Sequence, residues 1–342
     1  MSDKDLDITG AVEAIMAEAG ITENSSLVRR ILTTGLGLGQ DDTSRLDLKI
    51  VASALTEMRD AFRLFRPYAD APKVTVFGSA RTQADDPLYE QARSVAAVLA
   101  EQGWMVVTGA GPGIMQAAAE GAGEKMALGV SIKLPFEEKP NAVVAKDTHS
   151  VEMKYFFTRK LMLVKESTGF ICLPGGFGTL DEMFELLTLQ QTGKAEPMPI
   201  VLLDAPGGTF WRGLERFIRD TLVPAGVISA DDFDRVLVTD DAEAAVAEMT
   251  GFWRNYHSLR WIEDVLVLRL KNQPTSAEIA ALNTEFGHFL VDGAIESVPA
   301  HAVEIADSDA IEQPRISLRL RQREVGGLYR LIAALNGLES AR

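Results

Sequence analysis

The stretch Gly169-Phe-Ile-Cys-Leu-Pro-Gly-Gly-Phe-Gly-Thr-Leu-Asp-Glu182 decides the fold. Four apolar residues follow Gly169 without polar alternation, as expected of a strand covered on both faces in a parallel sheet. Pro174, Gly175, Gly176 and Gly178 then force a tight turn, and Leu180 to Gln191 reads as a helix. The same strand–turn–helix grammar repeats on either side. Upstream, Lys73-Val-Thr-Val-Phe77 runs into Gly78-Ser79, and an amphipathic helix covers 86–102. Trp104-Met-Val-Val107 runs into Thr108-Gly-Ala-Gly-Pro-Gly113 and a helix from Ile114 to Gly121. Leu128–Ile132 is another strand, closed by Pro135, and a helix over Tyr155–Lys165 precedes the central stretch. Downstream, Pro199–Leu203 is a strand and Trp211–Leu222 a helix. Apolar strands alternating with helices predict an α/β fold, a Rossmann-like doubly wound parallel sheet.

The flanks follow other periods. Residues 1–70 read as an N-terminal helical extension, in which Asp41-Asp-Thr-Ser44 offers caps for a long helix through about Phe65. Its apolar residues Leu48, Val51, Leu55, Met58, Phe62 and Phe65 step by 3, 4, 3, 4 and 3. That seam suits a helix packed lengthwise on another, either in its own domain or in a second subunit. Residues 71–254 form the nucleotide-binding α/β domain, and residues 255–342 a small C-terminal α+β domain of ferredoxin-like type. The tail pattern is a strand over Asp264–Leu270, a helix over Thr275–Leu290, strands at Ala302–Ile305 and Ile316–Arg321, and a helix over Gly326–Leu335. Arg319, Arg321 and Arg323 share one strand face, which is either solvated or an anionic effector or subunit contact.

Composition narrows the partners. Of 342 residues, 34 are Lys or Arg and 49 are Asp or Glu, a net charge of −15. That balance lacks the basic footprint of a nucleic-acid binder and gives no attraction to an anionic membrane. No apolar run approaches the ~20 residues of a membrane-spanning helix. The acidic start, Met1–Asp7, has no signal-peptide h-region, so a cytoplasmic protein is expected. Cys172 is the only cysteine, which excludes an internal disulfide and a thiolate cluster. The four histidines are scattered, so neither a metal nor a cofactor is expected.

Three strand ends, Gly78-Ser79, Gly109–Gly113 and Gly175–Thr179, should gather at the carboxyl edge of the sheet, where ligands bind. A glycine turn opening a helix presents free amides to an anion, although glycine also serves turns for backbone reasons alone. The dinucleotide fingerprint fails because Ile114 stands where its third glycine belongs. The P-loop fails because no Gly-Lys-Ser/Thr follows either turn, and no Gly-x-Ser-x-Gly elbow occurs. What stands near the loops is Arg159-Lys160 on one helix and Asp181-Glu182 on another. A cation and a carboxylate beside a phosphate cleft suit glycosidic-bond cleavage, the carboxylate steadying an oxocarbenium-like sugar or activating water. On pattern alone Thr179-Leu-Asp-Glu182 reads first as a capping box, with Glu182 at N3 bonding back to the cap, and Arg159 and Lys160 read as well as solvated helix charges as phosphate contacts.

Pro174-Gly-Gly-Phe-Gly-Thr-Leu-Asp-Glu182 resembles the P-G-G-x-G-T-x-x-E motif of the Lonely Guy family, often mislabelled lysine decarboxylase-like. Gly109-Ala-Gly-Pro-Gly-Ile-Met-Gln-Ala-Ala118 resembles its other loop, Arg159-Lys160 its Arg-Lys pair, and Val76-Phe-Gly-Ser79 its opening strand and loop. The likeness spans about residues 73–250. It implies a phosphoribohydrolase, a homo-oligomer of two or more subunits, that releases the base from a nucleoside 5′-monophosphate and yields ribose 5-phosphate. By this resemblance Glu182 is the catalytic carboxylate and Arg159 its partner at the sugar or base. Gly175, Gly176, Gly178 and Thr179 hold the 5′-phosphate, Gly109, Gly111 and Gly113 line the same cleft, and Gly78, Ser79 and Lys160 join the substrate contacts. Plant-type members carry His-Glu before Arg-Lys; Phe157-Thr158 stands here, which moves the expected substrate from a cytokinin precursor to AMP or another monophosphate. The alternative is a nucleotide sensor that uses the cleft without turnover. A decarboxylase would need a marked Schiff-base lysine, and no motif marks one.

Overall fold

The computed structural model describes residues 3–133, 141–144, 149–321 and 325–342, so Pro135 and Arg323 lie outside the described residues. The chain divides into two compact units, residues 1–59 and 60–342, and the division falls inside a helix. The first unit holds α1 (Asp3–Glu18), α2 (Ser25–Gln40) and most of α3 (Arg45–Phe65). Arg29 of α2 pairs with Glu13 of α1 at 3.1 Å. Ser44 starts α3 as the sequence suggests, its Oγ accepting from Asp47 N at 3.2 Å and donating to Asp47 Oδ2 at 2.8 Å. Along the α3 seam Leu48, Val51, Leu55 and Phe62 are exposed, Met58 is half-buried and Phe65 is buried.

The second unit is built on a seven-stranded sheet. In chain order it contains β1 (Lys73–Phe77), α4 (Pro87–Glu101), β2 (Met105–Thr108), α5 (Ile114–Ala122), β3 (Ala127–Ile132), β4 (Ser150–Met153) and α6 (Phe156–Lys165). It continues with β5 (Gly169–Cys172), α7 (Phe177–Gln191), β6 (Ile200–Leu203), α8 (Phe210–Phe217), β7 (Val236–Thr239) and α9 (Ala242–Gly251). The strand order is β4-β3-β2-β1-β5-β6-β7 and every pairing is parallel, the doubly wound sheet expected. Buried on both faces, β1, β2, β3, β5 and β6 show why their sequences lack alternation. Asp86 caps α4 through Leu88 N at 2.9 Å, and Pro87 enters its first turn. Ala92, Val95, Ala96 and Leu99 of α4 then form one buried stripe over Val74, Val106 and Ile171. The order reverses between β1 and β5, which pair from Val74↔Gly169 to Phe77↔Cys172, so the ligand crevice belongs above these two strands.

A second, antiparallel sheet follows. Its elements are β8 (Tyr256–Ile262), β9 (Val265–Leu270), α10 (Ser276–Phe286), β10 (Glu296–Ser297), α11 (Ala302–Ala306), β11 (Arg315–Leu318) and α12 (Val325–Gly337). The strand order is β10-β11-β9-β8, and Leu268, Leu270 and Ile316 pack with Phe286, Ile332 and Leu335 in its core. One expected strand is corrected: Ala302–Ile305 is helical. His301 caps α11, its ring accepting from Val303 N at 3.4 Å while its own N donates to Glu304 Oε2 at 2.9 Å. Glu304 is fully buried against Arg269 and Arg315, at 2.8 Å each, so that anchor and not the Val303/Ile305 alternation decides the local structure. Beyond β11, Arg321 Nε donates to Leu290 O at 2.9 Å. No helix among the described residues is long and apolar enough to cross a membrane.

Candidate active site

The ends of β1 and β5 are laced together. Leu173 N donates to Phe77 O at 2.9 Å and Ser79 N to Pro174 O at 3.2 Å, while Ile114 N at the start of α5 donates to Ser79 O at 3.0 Å. The three loops read from sequence thus converge at the switch point. Their glycines answer to this convergence. A Cβ on Gly78 would lie 2.5 Å from Ile114 Cγ2, and one on Gly113, whose φ is +68°, would overlap Ser79 O. A Cβ on Gly175 would overlap Thr179 Oγ1 and reach Ser79 N at 3.0 Å. Gly176 and Gly178 differ, since a Cβ on either would meet nothing within 4 Å. Ser79 Oγ accepts from Arg81 N at 3.1 Å, which turns the chain away after β1.

α7 begins at Phe177, three residues earlier than the pattern suggested, with Gly176 at the N-cap. Thr179 is therefore at N3 and Glu182 well inside the helix, and the capping-box reading of Thr179–Glu182 is corrected. Flexible glycines let the chain enter the helix as soon as it leaves the turn. Gly176 has no side chain to bond the first-turn amides, and no side-chain cap is made there, so those N–H groups face the loop without a capping oxygen.

Glu182 is only 7% exposed. Burial pushes its carboxyl up, against the pull of the Arg159 and Lys160 charges, and Glu185 and Asp181 add to the rise; the result is about 7. Cys172, at the end of β5, is fully buried, and burial with the neighbouring Glu182 charge pushes its thiol up. Arg159 projects from α6, its Nε donating to Val130 O at 2.9 Å and its Nη2 to Gly109 O at 3.5 Å. The guanidinium lies where a Cβ on Gly109 would be. Lys160 turns to α7 and pairs with Asp181 at 2.8 Å and Glu185 at 2.6 Å. Burial lowers the Lys160 pKa, but the two carboxylates outweigh it and hold the ammonium charged.

Two supports escaped the sequence reading. Asn141, nearly buried, donates from Nδ2 to Gly111 O at 3.1 Å and from its backbone N to Ala110 O at 2.9 Å. It braces the second glycine loop, in which Ala110 adopts φ +60° and Thr108 Oγ1 accepts from Ala110 N at 3.1 Å. The Met115 side chain floors that loop, within 2.7 Å of where Cβ atoms of Gly109 and Gly111 would stand. No local pattern marks Asn141, because its partners lie thirty residues away.

Known proteins share part of this sequence. A family model described as "possible lysine decarboxylase" matches residues 113–249. The chain is 31% identical over 167 residues to the cytokinin riboside 5′-monophosphate phosphoribohydrolase of Mycobacterium tuberculosis, covering 46% of this chain and 83% of that protein. It is 31% identical over 163 residues to the protein of the same name from Mycobacterium marinum, again covering 46% and 83%. Among solved structures, the molybdenum cofactor binding protein from Rippkaea orientalis aligns with a TM-score of 0.38 and 22% identity, over 52% of this chain and 93% of that one. The alignment to the Mycobacterium tuberculosis protein runs far beyond the glycine motif, and the chain belongs to the Lonely Guy family.

Proposed function

We propose that the chain hydrolyses the N-glycosidic bond of a nucleoside 5′-monophosphate, AMP or a close relative, to the free base and ribose 5-phosphate. The observation that carries this reading is Glu182, buried and held near 7, beside Arg159 at the switch-point glycine loops. The 5′-phosphate sits on the first-turn amides of α7 at Gly176, Gly178 and Thr179, where helix dipole and open space favour it. Ionised Glu182 steadies the positive charge that grows on the ribose as the bond to the base stretches. It then takes a proton from the attacking water, whose oxygen bonds the anomeric carbon, and returns that proton to the departing base. Arg159 orients sugar or base through its fork, with Gly109 giving it room. Lys160, tied to Asp181 and Glu185, is a positioning residue that fixes α6 against α7.

Thr158 is fully buried, its hydroxyl donating to Tyr155 O at 2.8 Å, so neither an imidazole nor a carboxylate precedes Arg159. That supports a plain nucleotide over a cytokinin precursor. The exposed α3 seam supports a homo-oligomer. The test is release of ribose 5-phosphate from a panel of nucleoside 5′-monophosphates, including an isopentenylated AMP. Turnover of AMP that is lost in Glu182→Gln is expected. Tight AMP binding by a folded wild type without turnover would put a nucleotide sensor in the enzyme's place.

A further inference from the structure

The second sheet carries a cavity of about 510 Å³, away from the switch point. Along β9, β11 and the residue that follows it the side chains alternate: Leu266, Leu268, Ile316 and Leu318 enter the core, whereas Val265, Val267, Ser317 and Arg319 line the cavity. The segment Val298–Ala302, leading into α11, supplies the opposite wall. At its margin stands Glu304, whose carboxylate is already paired with Arg269 and Arg315. Volume and lining match small-molecule sites, which span roughly 300–1,000 Å³ and combine apolar walls with a few polar groups.

Arg319 decides the chemistry. Its guanidinium offers five N–H donors, yet among the described residues it reaches only Asp292 at 3.4 Å and Asp264 at 3.7 Å, both on exposed side chains. Such long surface pairs contribute little and exchange readily. The two arginines on Glu304 neutralise it, so the wall of the cavity does not call for a cation. Hairpin-tip Glu263 and Asp264 also line the cavity, but both are exposed to water, where their fields are screened. A planar carboxylate, by contrast, matches an arginine fork with two parallel hydrogen bonds.

We propose that this cavity binds a small organic carboxylate with an aromatic or aliphatic body, the carboxylate on Arg319 and the body against Val265, Val267 and Val298. The site is independent of the hydrolase reading. The test is titration of 2-naphthoate into the full chain carrying ¹³C-methyl valine, followed by NMR. Saturable shifts at the Val265, Val267 and Val298 methyls are expected. Arg319→Ala should weaken binding about tenfold or more, as loss of a charge-assisted bond does, with Arg319→Lys in between. Ser317→Phe should block it by filling the floor. The proposal fails if those methyls stay still at millimolar 2-naphthoate, if Arg319→Ala binds as well as wild type, or if 2-naphthylmethylamine binds equally. The valine spectrum of each variant without probe reports its fold, and Arg319→Lys carries the comparison if the alanine variant is disturbed.

Discussion

The guanidinium of Arg159 occupies the space that a side chain on Gly109 would need. The first glycine of the second loop thus makes room for a cation fifty residues further along the chain, besides shaping a turn. Gly109→Ala would push Nη2 and the Met115 sulfur aside, both at the movable ends of side chains, so the fold should survive. Displacing a positioned group by about 1 Å costs on the order of 10²-fold in rate. AMP hydrolysis should therefore fall by about that factor while the thermal midpoint moves by no more than a few degrees. Wild-type turnover in the variant would remove Arg159 from the reacting geometry.

Glu182→Gln should abolish activity and stabilise the protein. A carboxyl held at about 7 in the folded chain, against 4.5 ordinarily, binds a proton that the unfolded chain releases. Stability is lost as pH rises from about 4.5 to about 7, by roughly 3 kcal/mol in all. The amide carries no such penalty. Urea unfolding of the two proteins should give a gap in favour of the variant that is near zero below pH 4.5 and reaches about 3 kcal/mol above pH 7. A gap independent of pH would mean that Glu182 titrates normally.

The activity should follow the same group with the opposite sense. If ionised Glu182 works on the sugar and water, kcat/KM falls as pH drops through about 7. Lys160 pulls that value down by its charge. Lys160→Met should move the acid limb upward by on the order of one pH unit, with the plateau less affected than the limb. An unmoved limb, or a plateau that collapses as fully as in Glu182→Gln, would contradict a positioning role.

The legible parts of this molecule were those written in local chemistry. The inner strands have apolar runs because both their faces are covered, and the glycine turns after β1, β2 and β5 mark the sheet edge where the site lies. β4 and β7 were not legible. They are edge strands of four residues, and Ser150-Val-Glu-Met153 has neither a long apolar run nor a turn signal. The local pattern places the start of α7 three residues too late, because Phe177-Gly178-Thr179 has the composition of a loop and only the Gly176 turn in three dimensions makes it helical. Asn141, the Lys160 pairs and the Glu304 cluster depend on contacts between distant segments, which no spacing rule encodes.

The α3 seam gives the last prediction. Leu48, Val51, Leu55 and Phe62 are 37%, 44%, 49% and 43% exposed, on one stripe of a 21-residue helix. A helix packing lengthwise on its copy would bury this stripe, since steps of 3 and 4 keep the residues in register. Leu55 lies at the middle of the stripe, so a charge there meets the partner whichever way the helices run. Losing one leucine per subunit removes about 1.5–3 kcal/mol each, so association should weaken by roughly 10²- to 10⁴-fold. Light scattering at micromolar concentration should show the wild type as an oligomer and Leu55→Glu at a lower mass, with Thr56→Glu, one residue off the seam, unchanged. Equal masses for wild type and Leu55→Glu would place the subunit contact elsewhere.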